Sequence, residues 1–207
     1  MRHFIALMLE PELGGQLQGL LGPGPAGLDE LGRAHPGAVR LHATEDLHLT
    51  LEFLGEFPAE RRPALAQTLA RALAPLAAPR LRIVAPGAFP ERGRERVLWA
   101  GVEEHGRAGG GAGDLADLAA AVRGACTQHG VALDPRPFRP HVTLARLRAA
   151  ARGQVPDAFY DKNPGLEWKP TGARWVVSLG TGGPRAYRPE DSFPLAPHRD
   201  GGSRDRT

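Results

Sequence analysis

The heptapeptide HLTLEFL (48–54) returns 93 residues later as HVTLARL (141–147), with His, Thr, Leu and the final Leu at the same four positions. Each copy alternates polar and apolar residues, the period of a strand with one buried face. With strict alternation, Leu47, Leu49, Leu51 and Phe53 face the core in the first copy, and His48, Thr50 and Glu52 face away. In the second, Val142 and Leu144 oppose His141 and Thr143, and Arg146 falls on the Val142/Leu144 face unless the strand end bends. Each strand has an amphipathic helix as a sequence neighbour. Leu65, Leu69, Leu73 and Leu76 stripe residues 59–77 after the first copy; Leu115, Leu118, Val122 and Ala125 stripe 114–129 before the second. A repeated strand-and-helix unit predicts two related lobes, each presenting one H-x-T strand, with the motifs meeting in space.

Further strands are expected at 3–9, 80–85, 95–102, 173–180 and near 192–196, and a short helix from Pro11 to about Leu21. GPGPAG (22–27) breaks that helix, and GRAGGGAG (106–113) reads as a linker. Residues 28–46 and 148–170 are weakly patterned, and 198–207 read as a disordered tail. Strands alternating with helices give an α/β or α+β class. With 42% hydrophobic residues the 207-residue chain can bury a core, which excludes global disorder. The net charge of +3 is mild; Lys162 and Lys169 are the only lysines, so a basic groove is allowed rather than implied. The single cysteine, Cys126, excludes an intrachain disulfide and suits a buried apolar position. The apolar run Phe4–Leu9 is too short for a signal or membrane segment, so the protein reads as cytoplasmic.

Two H-x-T strands side by side bring two imidazoles and two hydroxyls around one point. On a strand, His and Thr two residues apart are roughly 6.5 Å from each other on one face, a span that suits one small anion. Two histidines, one protonated and one neutral, make a general acid and a general base near neutral pH. The threonine hydroxyls can donate to non-bridging phosphate oxygens. The pattern therefore points to acid–base phosphoryl transfer without a metal or other cofactor. A zinc site is the rival reading, but threonine is a poor ligand and no H-E-x-x-H or nearby cysteine accompanies either motif. Serine or cysteine nucleophiles and nucleotide-binding glycine loops have no support.

At HLTL (His48, Leu49, Thr50, Leu51) and HVTL (His141, Val142, Thr143, Leu144) the chain resembles the two-histidine (2H) phosphoesterases. Within them it is similar to the RNA 2′,3′-cyclic phosphodiesterases, also called 2′-5′ RNA ligases. The likeness extends to RHFIALMLEPEL, GAFPERGRERVLWAGVEE, RPFRPHVTLARL and VVSLGTGGPRAYRPEDSFPL, about residues 1–196. It implies an α+β fold of two pseudo-symmetric lobes, each an antiparallel sheet with helices on its outer face, around a central cleft. One bilobal domain would span 1–197. The resemblance makes His48 the proton donor to the leaving 3′ oxygen and His141 the proton acceptor from water. It gives Thr50 and Thr143 the phosphate oxygens and puts Arg146 near the phosphate. The implied partners are RNA 3′ ends bearing a 2′,3′-cyclic phosphate, tRNA halves or small cyclic nucleotides, handled by a monomer with no membrane association. A module that holds phosphate ends without turnover is the rival class. One departure stands out: WVVSLGTGG lacks the tyrosine often found just before its serine. Trp99 reads as core, Phe89 as a loop aromatic able to stack on a base, and Phe4 as core bordering the cleft. His3, His35, His42, His105, His129 and His198 have no partner pattern.

Overall fold

The computed structural model describes residues 1–105, 114–180 and 187–198. The predicted linker 106–113 and residues 199–207 of the predicted tail lie outside them. In chain order the elements are β1 (Arg2–Met8), α1 (Pro11–Leu21), α2 (Leu28–Ala34), β2 (Val39–Leu41), β3 (His48–Glu56) and α3 (Arg62–Leu73). They continue with β4 (Leu81–Phe89), β5 (Val97–Glu104), α4 (Asp114–Gln128), β6 (His141–Leu147), α5 (Asp157–Tyr160), β7 (Leu166–Trp168), β8 (Gly172–Ser178) and β9 (Tyr187–Pro194). Several strands outrun their predicted ends, β4 and β9 the most: β4 continues through Gly87 to Phe89, and β9 starts at Tyr187. The weakly patterned stretches hold α2, β2, α5 and β7, elements too short to show a period.

The strands form one curled, antiparallel half-barrel sheet in the order β7-β4-β5-β6-β3-β1-β8-β9, with β2 also paired to β6. The two repeated strands are neighbours at its centre, joined antiparallel through Leu49↔Val142. Outward from that seam each half runs four strands deep, β3-β1-β8-β9 on one side and β6-β5-β4-β7 on the other. The two lobes thus share one sheet, and the first half takes strands from both ends of the chain.

One face of the sheet carries the main core. Leu49, Leu65, Leu69, Leu73, Leu118, Val122 and Val142 are fully buried there, with the α3 and α4 stripes laid on the leucines and valines of the strands. Burying each such side chain contributes about 1.5–3 kcal/mol. Cys126 is buried in this core, and burial followed by the nearby Glu52 carboxylate pushes its thiol up to about 12. The opposite face is the concave one, with a separate small cluster of Phe4, Ala6 and Val176 backed by Met8 and Tyr187.

Strict alternation fails in both repeated strands, at the same place. Along β1, Ala6 pairs with Thr50 but Ile5 pairs with Glu52, so Leu51 is an extra residue. Along β5, Trp99 pairs with Thr143 but Leu98 pairs with Ala145, so Leu144 is the extra residue. These β-bulges keep two successive residues on the core side and reverse the alternation beyond them. Glu52 therefore leaves the His48 face, is buried, and pairs with Arg123 of α4 at 2.9 Å. Phe53, expected in the core, comes out on the concave face, 59% exposed. The second bulge carries Arg146 to the concave face by the same shift, supplying the bend its predicted role required.

Candidate active site

The seam pair Leu49↔Val142 sets the register of the two motifs. Counting one residue outward each way, His48 stands across from Thr143, and Thr50 across from His141. All four point to the concave face, because Leu49, Leu51, Val142 and Leu144 are buried on the other. The predicted quartet is thus one patch, related to itself by the pseudo-twofold through the seam.

Both imidazoles are anchored alike. Nδ1 of His48 lies 2.6 Å from the carbonyl oxygen of Asp46, and Nδ1 of His141 lies 2.6 Å from that of Arg139. A carbonyl only accepts, so in each ring Nδ1 carries the hydrogen and donates it. The neutral ring then holds its lone pair on Nε2, the nitrogen left for proton exchange. The bond reaches two residues back along the chain in both cases, so each strand entry orients its own histidine. Thr50 and Thr143 are half-buried, and among the described residues neither hydroxyl makes a hydrogen bond, which leaves both for a ligand.

Each histidine sits between aromatic rings. Phe4 stacks on His48 at 4.8 Å and Tyr187 meets it edge-on at 5.0 Å. Phe89 meets His141 edge-on at 5.1 Å, and Trp99 lies tilted at 6.0 Å. Trp99, expected in the core, is half-buried on the concave face, because its register partner Thr143 points there. Phe89, expected in a loop, ends β4, and the indole of Trp99 lies against the glycine two residues before it. A methyl group at Gly87 would collide with that indole, so only glycine leaves room. Phe4 is buried but belongs to the concave-face cluster.

Burial shapes the charge of the pair. His48 is only 8% exposed and is held down at about 4, chiefly by loss of hydration, against the upward pull of the Asp46 carbonyl. A charge on His141 or Arg146 lowers it further. His141 is also lowered by burial, with the Arg139 carbonyl pulling the other way. Two mutually repelling imidazoles favour at most one proton between them, and burial works against even that one.

Two residues at the site carried no signal in the sequence. His42, just past β2, stacks on Tyr187 at 5.8 Å and is lowered to about 4 by burial, then by His48, Arg146 and Arg40. Tyr187 opens β9 from a proline-bearing segment without strand alternation. Of the other unassigned histidines, His3 accepts a hydrogen bond from Trp175 Nε1 at 2.9 Å, His129 pairs with Thr68, and His198 meets the carbonyl of Ala78. Among the described residues no three His, Cys, Asp or Glu side chains are grouped as metal ligands, and no helix is long and apolar enough to cross a membrane.

The family model of the 2′-5′ RNA ligase superfamily matches residues 26–181. A curated RNA 2′,3′-cyclic phosphodiesterase of Thermus thermophilus is 40% identical over 138 residues, 64% of this chain and 63% of that protein. One of Aeropyrum pernix is 38% identical over 120 residues, 56% and 62% of the two chains. One of Geobacillus stearothermophilus is 38% identical over 102 residues, 49% of this chain but 30% of the longer relative. This chain thus spans less than two thirds of the length of each. Among solved structures, TT0787 of Thermus thermophilus superposes with a TM-score of 0.74 at 28% identity, covering 96% of this chain and all of the other. Escherichia coli LigT complexed with 3′-AMP gives 0.65 at 28% identity, covering 94% and 97%. With a family match over most of its length and the same fold throughout, the chain belongs to the 2′-5′ RNA ligase superfamily.

Proposed function

We propose that the protein is a metal-independent RNA 2′,3′-cyclic phosphodiesterase, a cytoplasmic monomer built as one bilobal domain over residues 1–197. The observation that carries this reading is the matched anchoring of His48 and His141, which leaves two Nε2 atoms on one face beside two open threonine hydroxyls. The names of the curated relatives support the substrate class.

In this mechanism the cyclic phosphate sits on the seam. Thr50 and Thr143 donate hydrogen bonds to its non-bridging oxygens, and Arg146, whose field reaches His48, favours the negative charge from farther along the seam. His141 takes a proton from water as the water oxygen forms a bond to phosphorus. The bond from phosphorus to O3′ breaks in line with that attack, and His48 gives O3′ its proton. The product carries a 2′-phosphate and a 3′-hydroxyl, and solvent returns one proton to His48 and removes one from His141. A phosphate monoanion beside the imidazoles raises their affinity for a proton, which offsets the effect of burial on His48. The chemical groups needed for both proton transfers are then present in the chain itself. If the 5′-hydroxyl of a second RNA replaces water at His141, the same steps join two ends through a 2′-5′ bond.

The test is product analysis on an RNA with a 2′,3′-cyclic end, with and without EDTA. A 2′-phosphate product formed at the same rate in both supports the reading. Loss of turnover on chelation, restored by zinc or manganese, overturns the metal-free mechanism. Tight binding of the RNA end without turnover assigns the site to a binding module instead.

A further inference from the structure

β2 and β3 lie end to end along one edge of β6. Leu49 of β3 pairs with Val142, the His42 amide donates to the Leu144 carbonyl at 2.9 Å, and β2 pairs Leu41↔Ala145, Arg40↔Arg146 and Val39↔Leu147. The concave face along this seam therefore reads, from one end, Phe53, Thr50 with His141, His48 with Thr143, His42, and then Arg40 with Arg146. Cross-strand partners share a face, with Cβ atoms about 4.5–5.5 Å apart. The bulge at Leu144 turns Arg146 to the concave side, so Arg40 is there too. The position of His42, two residues on and stacked on Tyr187, agrees with that.

Both arginines are exposed, and among the described residues neither is joined to a carboxylate. Other arginines are, including Arg33, Arg62, Arg123, Arg136 and Arg188. Like charges directly opposed across a strand pair destabilise the sheet, and here nothing in the described chain offsets the cost. Two forked guanidiniums side by side suit one phosphate held by several hydrogen bonds.

Their place on the seam says which phosphate. With the ribose on the leaving-group side of the reacting phosphorus, the nucleoside lies beside His48. The chain leads from its 5′ carbon to the next phosphate, and Arg40 with Arg146 is the next anion-binding feature beyond His48. We propose that Arg40, acting with Arg146, binds the internucleotide phosphate on the 5′ side of the terminal nucleoside, so that the site selects an oligonucleotide end over a mononucleotide. This rests on the site taking RNA ends with a cyclic phosphate.

The test couples a protein charge to a substrate charge. Two pentaribonucleotides with 2′,3′-cyclic ends are prepared, one with a neutral methylphosphonate in place of its last internucleotide phosphate. Arg40→Ala is expected to raise KM about tenfold on the natural oligomer and less than twofold on the neutral one. Arg40→Lys should recover part of the loss. Equal penalties on both oligomers, or none on either, overturn the assignment. The same cycle is read as Kd with labelled oligomers ending in the 2′-phosphate, where no turnover is needed. There Arg40→Ala should also reduce the dependence of log Kd on log salt by about 0.7 for the natural oligomer. A protein that fails to hydrolyse the cyclic ends but keeps this coupling loses the catalytic reading and retains the phosphate site. One that hydrolyses them without the coupling loses the Arg40 site alone.

Discussion

The two halves of the seam use one device and dress it differently. In both, a histidine is anchored through Nδ1 to the carbonyl two residues earlier, a threonine follows on the same face, and a bulge reverses the alternation after the next leucine. The residue turned inward is Glu52 in the β3 half, held by Arg123, and the small Ala145 in the β6 half. The residue turned outward is Phe53 in one and Arg146 in the other. His48 is the more deeply buried of the pair, 8% exposed, and lies within the field of Arg146. In the proposed mechanism the shared parts are the reacting groups, an acid and a base with equal access to one phosphate, and the unshared parts are what would give a bound RNA end its direction.

The strongest way to break the comparison is to remove one histidine at a time. His48→Ala and His141→Ala should each lower kcat/KM on a cyclic-ended RNA by on the order of 10²–10⁴. The double variant should lose far less than the product of the two, because the pair works as a unit. Wild-type turnover in either single variant would contradict a shared role.

The threonines sharpen the same point at smaller scale. Thr50→Val and Thr143→Val keep strand propensity but remove one donor each, and should slow turnover by roughly 10- to 100-fold, about 1.5–3 kcal/mol. A large loss in one and none in the other would show that the phosphate sits in one half rather than on the seam.

Where the halves differ, stability should report it. Arg123→Ala leaves the Glu52 carboxylate buried without its partner, and should cost about 1–2 kcal/mol in chemical denaturation while kcat stays within twofold. The β6 half has Ala145 at that position and no such bond to lose. A fall in kcat matching the fall in stability would mean that the ion pair positions the site.

The pH profile tests how burial sets the pair. His48 is held at about 4 and His141 is also lowered, both first by burial. The reactive free enzyme carries one proton across the pair, so kcat/KM should follow a bell centred below 6.5, the unperturbed histidine value. Protons are lost from that form as pH rises through the higher of the two values and gained as it falls through the lower. With substrate bound, the phosphate charge favours the proton, so the profile of kcat should lie at higher pH than that of kcat/KM. A kcat/KM bell centred above 6.5 would contradict burial as the controlling cause.

The sequence made much of this legible and hid the rest for definite reasons. Two copies of H-x-T on an apolar strand pattern single out His48, Thr50, His141 and Thr143, which the structure brings onto one patch, and a repeated strand-and-helix unit anticipates the paired halves. Periodicity could not show the bulges, because Leu51 and Leu144 are apolar on either side of a shift. Strict alternation therefore puts Glu52 and Phe53 on the wrong faces and cannot supply the bend that turns Arg146 outward. The apolar flanks of Trp99 suit a core position, whereas its partner Thr143 and the notch at Gly87 put it beside His141. His42 and Tyr187 enter through tertiary contact from segments with no period of their own.

The acid and base roles separate most directly with a leaving group that needs no proton. An activated aryl phosphodiester departs as a stable anion, so turnover by His48→Ala should be partly restored relative to wild type on that substrate. His141→Ala still lacks the base for water and should stay as impaired as on RNA. Rescue of His141→Ala with none for His48→Ala would reverse the two roles, and equal rescue of both would contradict an acid–base pair.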